Sequence, residues 1–229
     1  MRILRRLLSK FLHIYYEKKS RSLKVIGKIL MFHNVGGSYD SLYNISTVEF
    51  ESLLIRLSKH KVIKLEEWEN SNDFYALTID DVPCDFYRYA YPLLVIYNIP
   101  FTIFVASNLL DKTGYITTSQ LKEMSKNSLC TVGSHGVNHG EYAILSMDDI
   151  TSELKDSKVL LESIINKEVK MYAFPYGSFY ACGYKYKNRV MKYYKYGYST
   201  VQIPITHPRL LENYFIPRIN VTSKNINTL

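Results

Sequence analysis

The stretch Leu77-Thr78-Ile79-Asp80-Asp81 is an apolar, β-type run that ends abruptly in two adjacent carboxylates. A second segment begins as a β-type run and carries two histidines spaced i, i+4: Thr131-Val132-Gly133-Ser134-His135-Gly136-Val137-Asn138-His139. A third reads Tyr172-Ala173-Phe174-Pro175-Tyr176-Gly177. Barrel enzymes build their sites from residues at the carboxyl ends of strands. We therefore expect these three segments to carry the chemistry of the protein.

The chain around these segments alternates between apolar, β-branched runs and amphipathic segments. This alternation predicts a parallel sheet with helical crossovers. The seven or eight predicted strands favour an α/β fold of the closed or nearly closed (β/α)7-8 barrel type over an open doubly wound sheet. The absence of a Gly-x-Gly-x-x-Gly or Walker loop disfavours a nucleotide-binding sheet. The predicted strands are Ile29–His33, Val62–Leu65, Tyr75–Ile79, Phe101–Val105, Cys130–Gly133, Lys170–Phe174, Tyr198–Val201 and Phe215–Val221. The predicted helices are Val48–Lys59, Tyr87–Tyr97, Ser119–Lys126, Met147–Ile165 and Tyr184–Lys195, with Thr47 and Ser146 as caps.

Composition places the protein among ordinary globular proteins. Its 229 residues are 47% hydrophobic and 22% charged, which excludes intrinsic disorder, and no apolar run is long enough for a membrane span. The three cysteines are Cys84, Cys130 and Cys182. Their odd number and spacing predict free thiols in a reducing compartment. Since the N-terminus is also a poor signal peptide, we expect a cytoplasmic location.

The net charge of +8 lies entirely in residues 1–28, which hold nine basic residues and one acid, Glu17. The rest of the chain is neutral, so the basic isoelectric point is no argument for nucleic-acid binding. We therefore divide the chain into a basic amphipathic segment, residues 1–28, and one domain, residues 29–229.

The histidine pair and the carboxylates suggest a metal site. Two imidazoles and one carboxylate hold a cation and leave coordination positions open for water and substrate. Neighbouring carboxylates can divide the work, one binding the metal while the other remains a base. In the third segment, the backbone N–H of Tyr176 could face a developing oxyanion.

Together these segments resemble the polysaccharide deacetylases, which are the NodB-homology superfamily or carbohydrate esterase family 4. The resemblance runs from about Ile29 to Val221 and includes the sequence patterns at Met31–Val35 and 216–221. It implies a distorted (β/α) barrel and one divalent metal, usually zinc, with Co²⁺, Ni²⁺ or Fe²⁺ as alternatives. It also implies removal of an acetyl group, in the first place N-acetyl, from an acetylated sugar or glycan in surface polysaccharide biosynthesis.

By the same resemblance, Asp80 is the catalytic base that activates the attacking water. Asp81, His135 and His139 are the metal ligands, and Tyr176 supports the tetrahedral oxyanion through its backbone N–H.

The sequence departs from the family pattern at several positions. Val82 stands where the family has a glycine, and Ala173 replaces an arginine, a charge that Arg218 could supply beside Asp80. The usual histidine of the general acid is not recognisable. His207 is the only histidine downstream of these motifs, and it could equally be an ordinary loop histidine.

Three other classes of protein are alternatives. A catalytically inactive carbohydrate-binding relative would keep the barrel and lose turnover, and Val82 is the residue that best supports this alternative. Measuring acetate release would distinguish it from an active enzyme. A non-haem iron oxygenase also uses two histidines and a carboxylate, but neither the motif order nor the α/β alternation fits one. A nucleic-acid-binding protein is disfavoured by the neutral body. The sequence does not predict the oligomeric state.

The N-terminal segment carries a helical stripe of apolar residues beginning at Ile3 and ending at Tyr15, with arginines and lysines elsewhere on its surface. One reading is a helix packed on the barrel. The other is an amphipathic helix, within residues 1–25, lying on an anionic cytoplasmic membrane surface. The second reading would place the protein on the inner membrane face.

Overall fold

The computed structural model describes residues 2–37, 42–183 and 186–229 of the chain. The strands are β1 (Lys24–Phe32), β2 (Asn34–Val35), β3 (Asn44–Ile45), β4 (Lys61–Val62), β5 (Phe74–Asp80), β6 (Phe101–Val105), β7 (Cys130–Ser134), β8 (Met171–Ala173), β9 (Tyr196–Tyr198), β10 (Ile205–His207) and β11 (Ile219–Asn220). The α-helices are α1 (Arg2–Ser20), α2 (Thr47–Leu57), α3 (Tyr91–Ile96), α4 (Thr118–Lys126), α5 (Met147–Ile165) and α6 (Lys187–Val190). Short 3₁₀ turns cover Leu65–Asn70, Ser107–Leu109 and Ile226–Thr228, and π turns cover Phe86–Ala90 and Phe179–Gly183.

Nine strands form the main sheet, and six of them run parallel in the order β1-β5-β6-β7-β8-β9. The segment 216–220 bridges the two outer strands of this series. Ile216 pairs with Tyr198 of β9, and β11 pairs in parallel with β1. The sheet therefore curls into a distorted barrel, which confirms the fold predicted from the alternation.

The two faces of the sheet bury different apolar clusters. On β5, Phe74 and Ala76 belong to the inner cluster, whereas Leu77 and Ile79 belong to the outer cluster beneath the helices. Because side chains alternate along a strand, Thr78 and Asp80 share the inner face with Phe74 and Ala76. The interior thus changes from apolar to polar towards the carboxyl end of β5.

The helix starts are partly as predicted. Ser146 caps α5, accepting a hydrogen bond from the Asp149 backbone N–H at 3.1 Å, and α5 has its predicted bounds. The prediction that Thr47 caps α2 is wrong. Thr47 is the first helical residue, and Ser46, whose backbone is extended, accepts from the Glu49 backbone N–H instead.

Several predicted elements are shorter than expected. The strand expected over 215–221 is reduced to β11, and the strand expected over 62–65 ends at Val62 because Leu65 begins a 3₁₀ turn. The helix expected over 87–97 begins as a π turn. Of the helix expected over 184–195, residues 184 and 185 lie outside the described residues, and α6 spans only four residues.

The N-terminal segment is a helix followed directly by the first strand. Helix α1 ends at Ser20, and β1 begins at Lys24, so the boundary predicted at residue 28 lies inside β1. Among the described residues, no helix has the length and hydropathy required to cross a membrane. Cys84 and Cys130 are free thiols, as predicted, and the side chain of Cys182 lies outside what the structure describes.

Candidate active site

Four strands of the barrel, β1, β5, β7 and β8, deliver polar side chains to one end. Asp80 and Asp81 lie at the carboxyl end of β5, and His135 follows β7 directly. Tyr176 lies three residues beyond β8, and His33 follows β1. The parallel pairing brings these ends together, as expected for a barrel enzyme.

Asp81, His135 and His139 form one cluster whose ligand atoms lie within 4.8 Å of one another. Oδ1 of Asp81 is 3.2 Å from Nε2 of His139 and 3.7 Å from Nε2 of His135. That oxygen is buried and has no hydrogen-bond partner among the described residues. Two imidazole nitrogens converging on an unsatisfied carboxylate oxygen are a donor set that fits a divalent cation such as zinc.

The orientation of His135 is determined by the backbone of β8. Its Nδ1 lies 2.8 Å from the carbonyl oxygen of Ala173, so Nδ1–H donates and Nε2 presents its lone pair to the cluster. Burial lowers the pKa of His135 despite the nearby carboxylates. The neutral ring is the form that binds metals.

Asp80 lies just below this cluster in a fully buried ion pair. Nη1 and Nη2 of Arg218 each donate to one of its carboxylate oxygens at 2.7 Å, and Nη1 also donates to Oγ1 of Thr78. The pairing of Arg218 with Asp80 expected from the sequence is thus present. Burial alone would raise the pKa of Asp80, but the charge of Arg218, followed by smaller contributions, lowers it to about 2.

The loop between the two histidines is held by a carboxylate on α5. Glu153 is buried and accepts hydrogen bonds from the backbone N–H groups of Val137 and Asn138 and from the Asn138 side chain. Gly136 passes this carboxylate at φ +85°, and a Cβ there would lie 2.3 Å from Oε2 of Glu153. Glycine fits at this position because a side chain there would meet Glu153 in a backbone conformation that other residues rarely adopt.

Left-handed backbone conformations are concentrated at the site. Asp81, Val82, His139 and Tyr176 all have φ between +49° and +61°. Such conformations are costly for a β-branched residue such as Val82 and are typical of functional sites. Val82 therefore adopts the left-handed conformation that a glycine would adopt at lower cost.

Tyr176 covers one side of the cluster. Its ring lies edge-on to His139 with centroids 4.8 Å apart, and the side chain is 57% exposed. The residue thus borders both the metal cluster and solvent, where a substrate would enter.

His33 is a site residue that the sequence reasoning did not select. Its Nδ1 is buried without a hydrogen-bond partner among the described residues. Burial lowers its pKa, while Asp80 and Asp81 act in the opposite direction. A groove of about 370 Å³ runs from His33 and Asp81 past Tyr43 and Tyr115. The sequence feature that could have identified His33 as a site residue is its position at the end of the first strand, within Met31–Val35.

His207 does not reach the site. It pairs with Lys24 at the amino-terminal end of β1, whereas the site lies beyond Phe32 at the other end of that strand. Eight residues of strand separate the two positions by roughly 26 Å. The prediction of His207 as general acid is therefore wrong. His207 is an exposed residue at the end of β10, so it does not lie in a loop either.

Comparisons with known proteins agree with this geometry. The profile of the polysaccharide deacetylase family matches residues 69–199. The Bacillus subtilis protein YxkH, described as a polysaccharide deacetylase, is 27% identical over 161 residues, which cover 66% of this chain and 57% of YxkH. The poly-β-1,6-N-acetyl-D-glucosamine N-deacetylase of Staphylococcus epidermidis is 26% identical over 209 residues, covering 82% of this chain and 71% of that enzyme.

Solved structures give the same result. The Streptococcus pyogenes deacetylase PplD, determined in complex with acetate, superposes with a TM-score of 0.76 at 25% identity. The match covers 87% of this chain and 93% of PplD. The chain thus spans nearly all of one relative of known structure but little more than half the length of YxkH.

Proposed function

Because the chain belongs to the polysaccharide deacetylase family, we propose that it is a metal-dependent hydrolase that removes N-acetyl groups from an acetylated surface glycan. The observation that carries the proposal is that the two adjacent carboxylates at the end of β5 have different partners. Asp81 points at two histidines, whereas Asp80 is held by Arg218. One carboxylate is thus available to a cation and the other remains available as a base.

The ligand set supports zinc as the bound metal. Two imidazoles and a carboxylate match catalytic zinc sites, which keep a further position open. Co²⁺, Ni²⁺ and Fe²⁺ accept the same ligand types and are the alternatives. A divalent cation bound there would supply a Lewis acid that lowers the pKa of water and polarises a carbonyl group.

The protein side chains then have distinct roles. Arg218 keeps Asp80 ionised, which is the form that can accept a proton from water in the site. His33, which lines the groove beside Asp81, is the proposed proton donor to the departing amine. The carboxylates of Asp80 and Asp81 favour its protonated form against the effect of burial. The backbone N–H of Tyr176 is the proposed donor to the developing oxyanion.

Two observations favour an active enzyme over an inactive carbohydrate-binding relative. Val82 adopts the left-handed backbone conformation that a glycine would favour at this position, despite its branched side chain. Arg218 supplies the buried cation that Ala173 lacks. The strain at Val82 is retained next to a metal-ligand candidate, as expected where function requires it.

The substrate class follows from the relatives. The Staphylococcus epidermidis relative is named for poly-β-1,6-N-acetyl-D-glucosamine, which favours an N-acetyl substrate. Acetate release should be measured on zinc-loaded protein with β-1,6- and β-1,4-linked N-acetylglucosamine oligosaccharides and with an O-acetylated glycan.

We expect release from the N-acetylated oligosaccharides, its loss in Asp81→Asn and its retention in Asp156→Asn, a matched change at an exposed site on α5. Release from the O-acetylated glycan alone would contradict the N-acetyl assignment. Release from no substrate, with the metal bound, would favour the inactive relative.

A further inference from the structure

Helix α1 packs against the barrel through its less apolar face. The rings of His13 and Tyr16 lie against Phe179, and Leu12 packs on the apolar core. Arg6 adds a contact with the ring of Tyr180. A surface helix normally buries its apolar stripe. Here the more apolar side faces away from the protein.

The apolar stripe is well separated from the packed face. Six large apolar residues are each between 53% and 77% exposed: Ile3, Leu4, Leu7, Leu8, Phe11 and Ile14. At about 100° per residue, they occupy an arc of roughly 140° whose centre lies about 160° from the packed face. The stripe is a continuous apolar surface, and in the described part of the chain no other element covers it.

Basic residues border this stripe. Lys10 and Lys19 lie about 20° outside the two edges of this arc, and Lys18 follows the stripe in the last turn. Arg5 and Arg6 lie towards the packed face, where the Arg6 guanidinium is 5.3 Å from the ring centroid of Tyr180. The only acid of the helix, Glu17, is paired with Arg21 at 2.6 Å. The exposed face of α1 is therefore apolar along its centre and cationic at its edges. Such a face complements a partner that has an apolar interior and an anionic boundary.

We propose that α1 lies in the headgroup region of an anionic lipid bilayer, with the stripe from Ile3 to Ile14 inserted and the flanking basic residues against lipid phosphates. A lipid surface satisfies both the apolar stripe and the cations at once. A second copy of α1 would cover the apolar residues but would bring lysines against each other, with one acid per helix to compensate.

The proposal concerns a surface next to the site. Phe179, which α1 contacts, lies three residues after Tyr176 in the chain. A helix held at the bilayer would therefore keep the loop that carries Tyr176 close to the lipid headgroups.

Vesicle co-sedimentation of the full chain tests the proposal. We expect binding to vesicles of phosphatidylcholine with phosphatidylglycerol, weaker binding at high salt, and little binding to phosphatidylcholine alone. The variant Leu4→Ala/Leu7→Ala/Phe11→Ala keeps good helix formers and removes apolar surface, so its partition coefficient should fall by about tenfold or more.

The matched control is Val48→Ala/Ile96→Ala/Val159→Ala, which removes side chains of comparable exposure elsewhere on the surface and should bind like the wild type. Equal binding by both triple variants, or no binding by the wild type, would overturn the proposal. So would a dimer in light scattering that only the α1 variant dissociates, since the stripe would then be covered by a second copy. Vesicle binding requires no turnover, so its failure is distinguishable from a failure of the proposed hydrolase.

Discussion

Arg218 and Asp80 form an ion pair that is inaccessible to solvent on both sides. Removing one partner of a buried pair leaves an uncompensated charge, which costs about 3–5 kcal/mol. We therefore expect Arg218→Met to lower the free energy of unfolding by about that amount and to abolish acetate release. Urea denaturation of chelator-treated protein measures the first effect.

The double variant Asp80→Asn/Arg218→Met is the control, because it removes both charges together. It should recover most of the lost stability without recovering activity, since the base is absent. The sign of the pH dependence follows from the low pKa of Asp80. With a folded-state pKa of about 2 against an ordinary 3.8, the contribution of the pair is complete above about pH 4 and is lost as the pH falls towards 2. An Arg218→Met variant as stable as the wild type would contradict this account of the pair.

The two histidines His33 and His207 make a matched comparison at the same scale. General acid catalysis contributes about 100-fold or more, so His33→Ala should lower kcat by at least that factor. His207→Ala should leave kcat unchanged, because that side chain lies at the other end of β1. Steady-state acetate release by both variants, with zinc content confirmed, is the measurement. Equal effects of the two substitutions would show that His33 has no specific role.

At the scale of elements, α5 supports the metal site through one side chain. Glu153→Gln keeps the size but turns an amide group towards the backbone N–H groups of Val137 and Asn138. Groups that orient metal ligands typically contribute 10–100-fold to affinity, and we expect zinc affinity to fall by about that factor. Competition with a chromophoric chelator measures it. Asp156→Asn, on the exposed side of the same helix, should leave the affinity unchanged.

The elements also show why some features were predictable from sequence and others were not. The strand-end motifs around Asp81 and His135 are local, and parallel pairing makes their convergence predictable. The position of His207 depended on β10, a three-residue strand that pairs antiparallel with β1 and has no local signal strong enough to predict. The exposed stripe of α1 was visible as a pattern, but which face packs on the body depends on the distant residue Phe179.

At the scale of the molecule, the barrel brings distant parts of the chain to one point. The segment 216–220 closes the gap between β9 and β1, and Arg218 extends from it to Asp80, more than a hundred residues away in sequence. The family resemblance led to both partners, because Asp80 lies in its motif and Arg218 could supply the charge that is missing at Ala173. The central claim is that this convergence creates a single metal-dependent hydrolytic site.

Titration of chelator-treated protein with zinc, followed by acetate release from a β-1,6-linked N-acetylglucosamine oligosaccharide, tests that claim most directly. The stripped protein should be inactive. Activity should then rise in proportion to added zinc, reach a plateau at one equivalent per chain, and stay absent at every ratio in His135→Ala/His139→Ala. Full activity in the stripped wild type, or unchanged activity in the double variant, would contradict the account.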